Sequence, residues 1–209
     1  MNKKDLLVKI HGYVASDGGI YFKKCKDIHG KKLRIRKRLR TYFYNTEEVL
    51  IKDFIKALKK LYPKIKSIKY RPKRYEVRVE NHRISKDILK LGKIGSKVWE
   101  FPSGLNKRQK IIWIRAFVDG EGSVCNSDYH RYIVIDSING LGLKKVAFNL
   151  KSLGIENHFY KFNFKGYIFY RIKISRKINL IKFYNVIGFN HPKRMRRLKE
   201  AINSYKYNI

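Results

Sequence analysis

Two short segments of this chain each end in an acid followed by glycine. Ile10-His11-Gly12-Tyr13-Val14-Ala15-Ser16-Asp17-Gly18 and Ile114-Arg115-Ala116-Phe117-Val118-Asp119-Gly120-Glu121-Gly122 match apolar position by apolar position. Each reads as a helix that stops at its acid, where the macrodipole disfavours negative charge, with a glycine suited to a left-handed helix cap just beyond. Small residues lie four apart upstream, Gly12 and Ser16 in one segment, Ala116 and Gly120 in the other. Small side chains on one helical face let two backbones approach closely, so the two helices could pack together. Packing would set Asp17 beside Glu121, and two adjacent carboxylates resist joint ionisation unless a cation neutralises them. Carboxylate oxygens, water and a substrate phosphate are the donors that Mg²⁺ prefers.

Such acids need a duplicated scaffold, and a second match supplies it. Phe54-Ile55-Lys56-Ala57-Leu58-Lys59-Lys60-Leu61 resembles Val146-Ala147-Phe148-Asn149-Leu150-Lys151-Ser152-Leu153. The offset is 104 residues between Asp17 and Glu121 but 92 between Leu58 and Leu150, so repeat one carries 12 extra residues, most simply in a longer hairpin. Repeat one is expected over 1–91, a Gly/Pro/Ser linker over 92–104 and repeat two over 105–209. Each repeat reads as helix, hairpin, helix, hairpin, helix. In repeat one the first helix starts near Asp5, strands cover 20–25 and 32–44, and Asn45 with Glu48 caps a helix striped by Leu50, Phe54, Leu58 and Leu61. Strands over 66–70 and 75–80 turn at Pro72, and a short helix covers 85–91. In repeat two Asn106 with Gln109 forms a capping box, followed by strands over 123–127 and 130–137, a helix over 140–153, strands over 158–164 and 167–174, and helices over 176–187 and 192–206.

Composition limits what such a scaffold can serve. The 209 residues carry 50 Lys and Arg against 16 Asp and Glu, a formal net charge of +34. With 44% hydrophobic and 14% aromatic residues the chain can fold, which excludes a disordered basic tail. A folded body this basic calls for a polyanion. A membrane is the weaker choice, because no apolar run reaches the roughly 18 residues of a spanning helix, and the start lacks the apolar stretch of a secretory signal. Two cysteines, Cys25 and Cys125, and six scattered histidines argue against a disulfide framework or a zinc site. An intracellular protein, in a prokaryotic cytoplasm or an organelle, is expected.

The charge also has a pattern. Over 32–44, Leu33, Ile35, Lys37, Leu39, Thr41 and Phe43, a largely apolar set, alternate with Arg34, Arg36, Arg38, Arg40, Tyr42 and Tyr44. Strand side chains alternate faces, so four arginines and two tyrosines project from one side. A row of this kind fits a sheet laid in a DNA major groove, where arginine reads guanine edges or grips phosphates. Val77 and Val79 alternate with Arg74, Glu76 and Arg78, and Ile172 and Ile174 with Arg171 and Lys173, which repeats the theme. Alternation after each acid also turns Tyr21, Lys23 and Cys25 toward the groove with Ile20 and Phe22 inward, and Cys125 and Ser127 toward it with Val124 inward. The return strand of repeat two offers His130, Tyr132 and Asp136, which is less basic than its counterpart, so a non-palindromic target is expected.

Both acid-Gly segments resemble the LAGLIDADG motif of the homing endonuclease family, Ile10 to Gly18 and Ile114 to Gly122 occupying its nine positions. Phe117-Val118-Asp119-Gly120-Glu121-Gly122 is the closer match; His11, Tyr13, Ala15 and Ser16 depart from the motif. The duplicated architecture extends the resemblance over nearly the whole chain, as in the single-chain, two-repeat members. The resemblance implies an α+β fold of two pseudo-symmetric αββαββα repeats, with the motif helices packed at the centre and two antiparallel sheets forming a saddle over double-stranded DNA. It implies an intron-encoded or free-standing monomer that cuts both strands of a long site across the minor groove, leaving 3′ overhangs by Mg²⁺-dependent phosphodiester hydrolysis. Mn²⁺ or Ca²⁺ would be able to substitute in binding. Asp17 and Glu121 would hold the metal with the backbone carbonyls of Ser16 and Gly120. A polar residue near the end of the second strand commonly helps order the water, which places Asn139 in repeat two and the departing Glu47 in repeat one, and Lys97 and Lys193 are the lysine candidates. Relatives of the fold also act as non-cleaving nucleic-acid-binding proteins such as intron RNA maturases, often without the acids. Retention of both acids favours the nuclease.

Overall fold

The computed structural model describes residues 1–29 and 32–205, except the side chains of 25–29 and 32–37. Its elements run α1 (Lys3–Asp17), β1 (Gly18–His29), β2 (Lys32–Tyr44), α2 (Glu48–Leu61), β3 (Ile68–Arg71), β4 (Glu76–Val79), α3 (His82–Leu89), α4 (Lys107–Glu121), β5 (Gly122–Asn126), β6 (Arg131–Ser137), α5 (Gly140–Ser152), β7 (His158–Phe164), β8 (Tyr167–Ser175), α6 (Lys177–Val186) and α7 (Pro192–Asn203). Two antiparallel sheets result, ordered β1-β2-β4-β3 and β5-β6-β8-β7. The sheets repeat one another strand for strand, and repeat two carries the additional final helix, α7, expected over 192–206.

Helices α1 and α4 form the centre and start alike. Asn2 and Asp5 make a capping box on α1, as Asn106 and Gln109 do on α4, and Gln109 Nε2 donates to Asp5 Oδ1 at 3.5 Å, joining the two helix starts. Further along, a Cβ on Gly12 would stand 2.8 Å from the Trp113 carbonyl oxygen, and one on Gly120 would stand 2.5 Å from Asp17 Oδ2 and 2.6 Å from Ser16 Oγ. The small-residue spacing therefore does what the sequence suggested. It lets the backbones meet, and each motif helix lends residues to the other repeat's core: Ala116 packs with Ile10, Tyr13 and Phe43, while Val8 and Ala15 pack with Trp113 and Phe117.

Four expectations need correction. The glycines after the acids are not left-handed, since Gly18 has φ −131° and Gly122 φ −82°. They are small because the chain turns straight from helix into strand: a Cβ at Gly18 would lie 2.5 Å from the Tyr42 carbonyl oxygen, and one at Gly122 2.6 Å from that of Val118. The Asn45–Glu48 cap does not form. Glu47 is the N-cap of α2 without a side-chain cap bond, and the Asn45 side chain turns toward Asp17. Phe22 is 66% exposed, because the long β1–β2 hairpin runs beyond the helices that would cover it. The segment between the repeats is more than a tether: Trp99, Phe101 and Leu105 are buried in the core of repeat two. Trp99 packs against Phe117 with ring centroids 4.6 Å apart.

Candidate functional site

Asp17 and Glu121 close the two central helices, and Asp17 lies against Gly120, one residue before Glu121. Asn45 Nδ2 donates to Asp17 Oδ2 at 2.9 Å, while Asn45 Oδ1 accepts from the Glu47 amide, so the end of β2 fixes the carboxylate's orientation. Both acids are held above the ordinary carboxylate range. Burial is the main cause for Asp17, opposed by the Asn45 hydrogen bond and the Arg194 charge. Burial also leads for Glu121, reinforced by Asp17 and Asp136 and opposed by Arg194, and pushes it up to about 8. Repulsion between neighbouring carboxylates disfavours the doubly ionised state. Among the described residues neither acid is ion-paired. Beside Glu121 a cleft of about 240 Å³ is lined by Ser16, Ser96, Trp99, Asp136 and Ser137. The Ser16 hydroxyl donates to the Tyr13 carbonyl oxygen at 3.0 Å and is thereby turned back along its own helix.

A third group shapes this site without any signal in the sequence. Arg194, on α7, donates from Nη1 to the carbonyl oxygens of Val118, at 3.1 Å, and Asp119. Both carbonyls belong to the last turn of α4, where that of Val118 also accepts the Gly122 amide, and a cation there complements the negative end of the helix dipole. Asp119 in turn secures α7: its Oδ1 accepts the backbone amides of Asn190 at 2.8 Å and His191 at 3.0 Å. Burial raises Asp119 to about 6, with those amides pulling the other way. The same first turn of α7 brings Lys193 Nζ to 2.8 Å and His191 Nε2 to 3.8 Å from Glu47 Oε1. The Lys193 hydrogen bond holds Glu47 below the ordinary range. Lys193 and Glu47, from opposite repeats, are thus a pair near Asp17. In the sequence Arg194 is one of a run of basic residues, Lys193-Arg194-Met195-Arg196-Arg197, and only its partial burial against α4 distinguishes it.

Asn139 and Lys97 are not joined to the acids. Asn139 is buried as the N-cap of α5, accepting from the Gly142 amide at 3.0 Å and donating to the Trp99 carbonyl oxygen at 2.6 Å. Both ends of its amide are tied into the protein interior, between the α5 cap and the inter-repeat segment. Lys97 is exposed on the rim of a different depression, with Lys93, Lys144, Lys145 and Phe148. Among the described residues no three His, Cys, Asp or Glu side chains converge on a metal position. A cation between Asp17 and Glu121 would have to be completed by backbone oxygens, water and phosphate, the set that Mg²⁺ prefers.

No family model and no curated protein matches the chain. Solved structures do. The homing endonuclease I-DmoI in complex with DNA and calcium superposes with a TM-score of 0.70 at 22% identity, covering 96% of this chain and 100% of that one. A structure of mesophilic I-DmoI variants gives 0.68 at 23% identity, covering 90% and 92%. The N-terminal LAGLIDADG domain of DUF199/WhiA gives 0.56 at 13% identity, covering 100% and 85%. The chain has the two-repeat LAGLIDADG fold.

In this LAGLIDADG saddle the two sheets differ in chemistry. On the first, strand register pairs Lys23 with Arg38, Tyr21 with Arg40, and Tyr42 with Arg78, and through Arg78 reaches Lys69. Leu39, Thr41 and Phe43 are buried on the opposite face. Arg40 pairs with Glu80 at 3.2 Å and Arg78 with Glu76. Arg74 lies in a one-turn 3-10 segment, Pro72–Arg74, so strand alternation does not govern it. Cys25, Arg34 and Arg36 belong to β1 and β2, but their side chains lie outside the described residues. On the second sheet Cys125 pairs in register with Tyr132, with Val124 buried behind them. Ser127 and His130 close the β5–β6 turn through a backbone bond of 2.9 Å and are likewise outside the alternation. Arg171 is bound to Asp136 by two hydrogen bonds, 2.7 and 2.6 Å. No helix among the described residues is long and apolar enough to cross a membrane.

Proposed function

We propose that this chain is a site-specific double-strand DNA endonuclease that hydrolyses phosphodiester bonds with a divalent metal ion. The observation that carries the reading is the acid pair: two largely desolvated carboxylates without a salt bridge among the described residues, delivered by pseudo-symmetric helix ends and kept above the ordinary carboxylate range, between sheets of which one bears a row of cations. Burying such a pair is unfavourable without a cation. A structural role for the acids leaves that cost unexplained, whereas metal binding removes it. The I-DmoI structures with DNA and calcium, and with DNA and manganese, support the same reading.

Asp17 and Glu121 would hold the metal together with the carbonyl oxygens of Ser16 and Gly120, and Mg²⁺ is the preferred ion. When bound, a divalent ion lowers the pKa of the attacking water and stabilises the charge on the leaving 3′ oxygen. Asn45 keeps the Asp17 carboxylate in one orientation. Arg194 offsets part of the acids' repulsion before metal arrives and lies where scissile phosphates would approach. The Glu47–Lys193 pair leaves Lys193 near the same approach, its charge balanced until substrate phosphate competes for it. Basic residues of the first sheet, Arg38, Arg40 and Arg78 with Tyr21, Tyr42 and Lys23, would grip one half-site, and Tyr132, Arg171 and Lys173 would face the other. Both acids come from one chain, so a monomer suffices, and its unlike halves fit a long, non-palindromic site cut with 3′ overhangs.

The test is cleavage selection from a randomised duplex library with Mg²⁺, followed by Asp17→Asn with Glu121→Gln on the selected site. The double variant is expected to retain duplex binding and lose cutting by at least about a thousandfold, in line with the share of catalysis supplied by charge stabilisation. Cleavage undiminished in the double variant would refute the assignment.

A further inference from the structure

The two faces that would meet DNA present different groups, and the second is aromatic. Register in β7 and β8 places Tyr160 opposite Arg171, Phe162 opposite Phe169, and Phe164 opposite Tyr167 on one side of the sheet, continuous through Asp136, which pairs with Arg171, to Val134 and Tyr132. Several of these rings are open to solvent: Tyr167 is 72%, Phe164 56% and Tyr160 40% exposed. The cations there are already engaged. Arg171 is locked to Asp136, with its guanidinium 4.7 Å from the Phe162 ring centroid, and Lys173 lies 4.5 Å from that of Tyr132. Turning Arg171 toward a guanine would leave Asp136 unpaired on the surface nearest the phosphates.

A major groove offers one apolar group to such rings, the C5-methyl of thymine. Guanine and cytosine edges present acceptors and donors, which phenyl rings cannot match and would leave without water. Resting on the endonuclease reading above, we infer that repeat two reads a thymine-rich half-site through methyl contacts, with Phe162, Phe164, Tyr167 and Phe169 as specificity-determining residues. The arginine-bearing sheet of repeat one reads its half by hydrogen bonds and charge instead. The chain would thus divide its target into a half sensitive to thymine methyls and a half indifferent to them. Single-stranded bases stacking on the same rings are the competing occupant. Duplex is favoured because this sheet is the pseudo-symmetric partner of one whose cation rows suit a groove and its phosphates.

The experiment uses a duplex recovered from the same randomised library by binding selection, which requires no cleavage, with the thymines of one half-site at a time replaced by deoxyuridine. This change deletes the methyls and keeps every Watson–Crick pair. Each buried methyl is worth about fourfold in affinity, so three or four replacements under repeat two should weaken binding by roughly 50-fold or more, while replacements under repeat one should change it less than about twofold. The exposed-ring variant Phe164→Ser with Tyr167→Ser should bind the thymine and deoxyuridine duplexes more nearly alike. Equal binding of the two duplexes by the unaltered protein, a selected half-site without thymine enrichment, or tighter binding of single-stranded oligothymidylate than of duplex would each overturn the inference. Methyl discrimination in binding without any cleavage would instead overturn the nuclease reading and leave this one standing.

Discussion

Replacing Gly120 by alanine separates helix propensity from the close approach that sets the acid pair. In an isolated helix the change is favourable by about 1 kcal/mol. Here the added methyl would lie 2.5 Å from Asp17 Oδ2, 2.6 Å from Ser16 Oγ and 2.7 Å from Ser16 Cβ, each roughly 1 Å inside ordinary contact. Relief requires that α1 and α4 move apart, because Ser16 Cβ is fixed by its backbone, and that the Asp17 carboxylate turns away. Rotation by about 1 Å breaks the 2.9 Å bond from Asn45, and separation loosens packing at Trp113 and Ala116. Overpacking of this size costs about 1–3 kcal/mol, so after the propensity gain the net change is expected near 0–2 kcal/mol destabilising, lowering Tm by up to about 8 °C in a chain of this length. A catalytic carboxylate displaced by about 1 Å should cost about a hundredfold in single-turnover cleavage at saturating Mg²⁺. Gly12→Ala is the control: its methyl meets the Trp113 carbonyl oxygen at 2.8 Å and no acid, so it should destabilise comparably with a smaller loss of cleavage. Urea denaturation and cleavage kinetics on both variants check this. A Gly120→Ala protein that gains stability and cuts normally would refute the reasoning.

Two further outcomes follow from buried charge. His11 is fully buried between the motif helices, accepting at Nδ1 from Trp113 Nε1 at 2.9 Å and facing the Gly92 carbonyl oxygen with Nε2, and burial lowers its pKa to about 4. The unfolded chain binds this proton first, so His11 contributes stability above pH 6.5 that is lost as pH falls to about 4, about 3 kcal/mol in all. Glu121 acts in the opposite sense between pH 8 and 4.5, so the measurement is the difference between wild-type and His11→Gln stability curves, and parallel curves would contradict the assignment. Arg194→Met should cost about 1–2 kcal/mol at pH 8 by removing a half-buried cation from among Asp119, Asp17 and Glu121. That deficit should shrink at pH 5.5, where Glu121 and part of Asp119 are neutral; a deficit unchanged with pH, by urea titration, would show that Arg194 acts through packing alone.

Repetition made much of this legible. The small-residue spacing and the acid-Gly ends recur together at one offset and the second helices at another, and periodicity located α2, α5 and the β7–β8 hairpin closely because each buries one face against its own repeat. Errors fell where a residue answers to a partner distant in sequence. Asn45 has the chemistry of a helix cap, and its neighbour Asp17 is what draws it elsewhere. Asn139 has the chemistry of a water-ordering amide, but the packed inter-repeat segment brings the Trp99 carbonyl to it. Phe22 alternates as a core residue on a hairpin longer than its core.

The sequence by itself determined which residues could do the chemistry, because residue type, helix period and strand alternation are local properties. Only the tertiary structure decided their state: that burial raises both acids, that Arg194 closes the second helix between them, that Asp136 immobilises Arg171, and that aromatic rings gather on one half of the saddle. Desolvation and Coulomb interactions depend on distance through space, and residues 17, 45, 121 and 194 become neighbours only when the chain has folded.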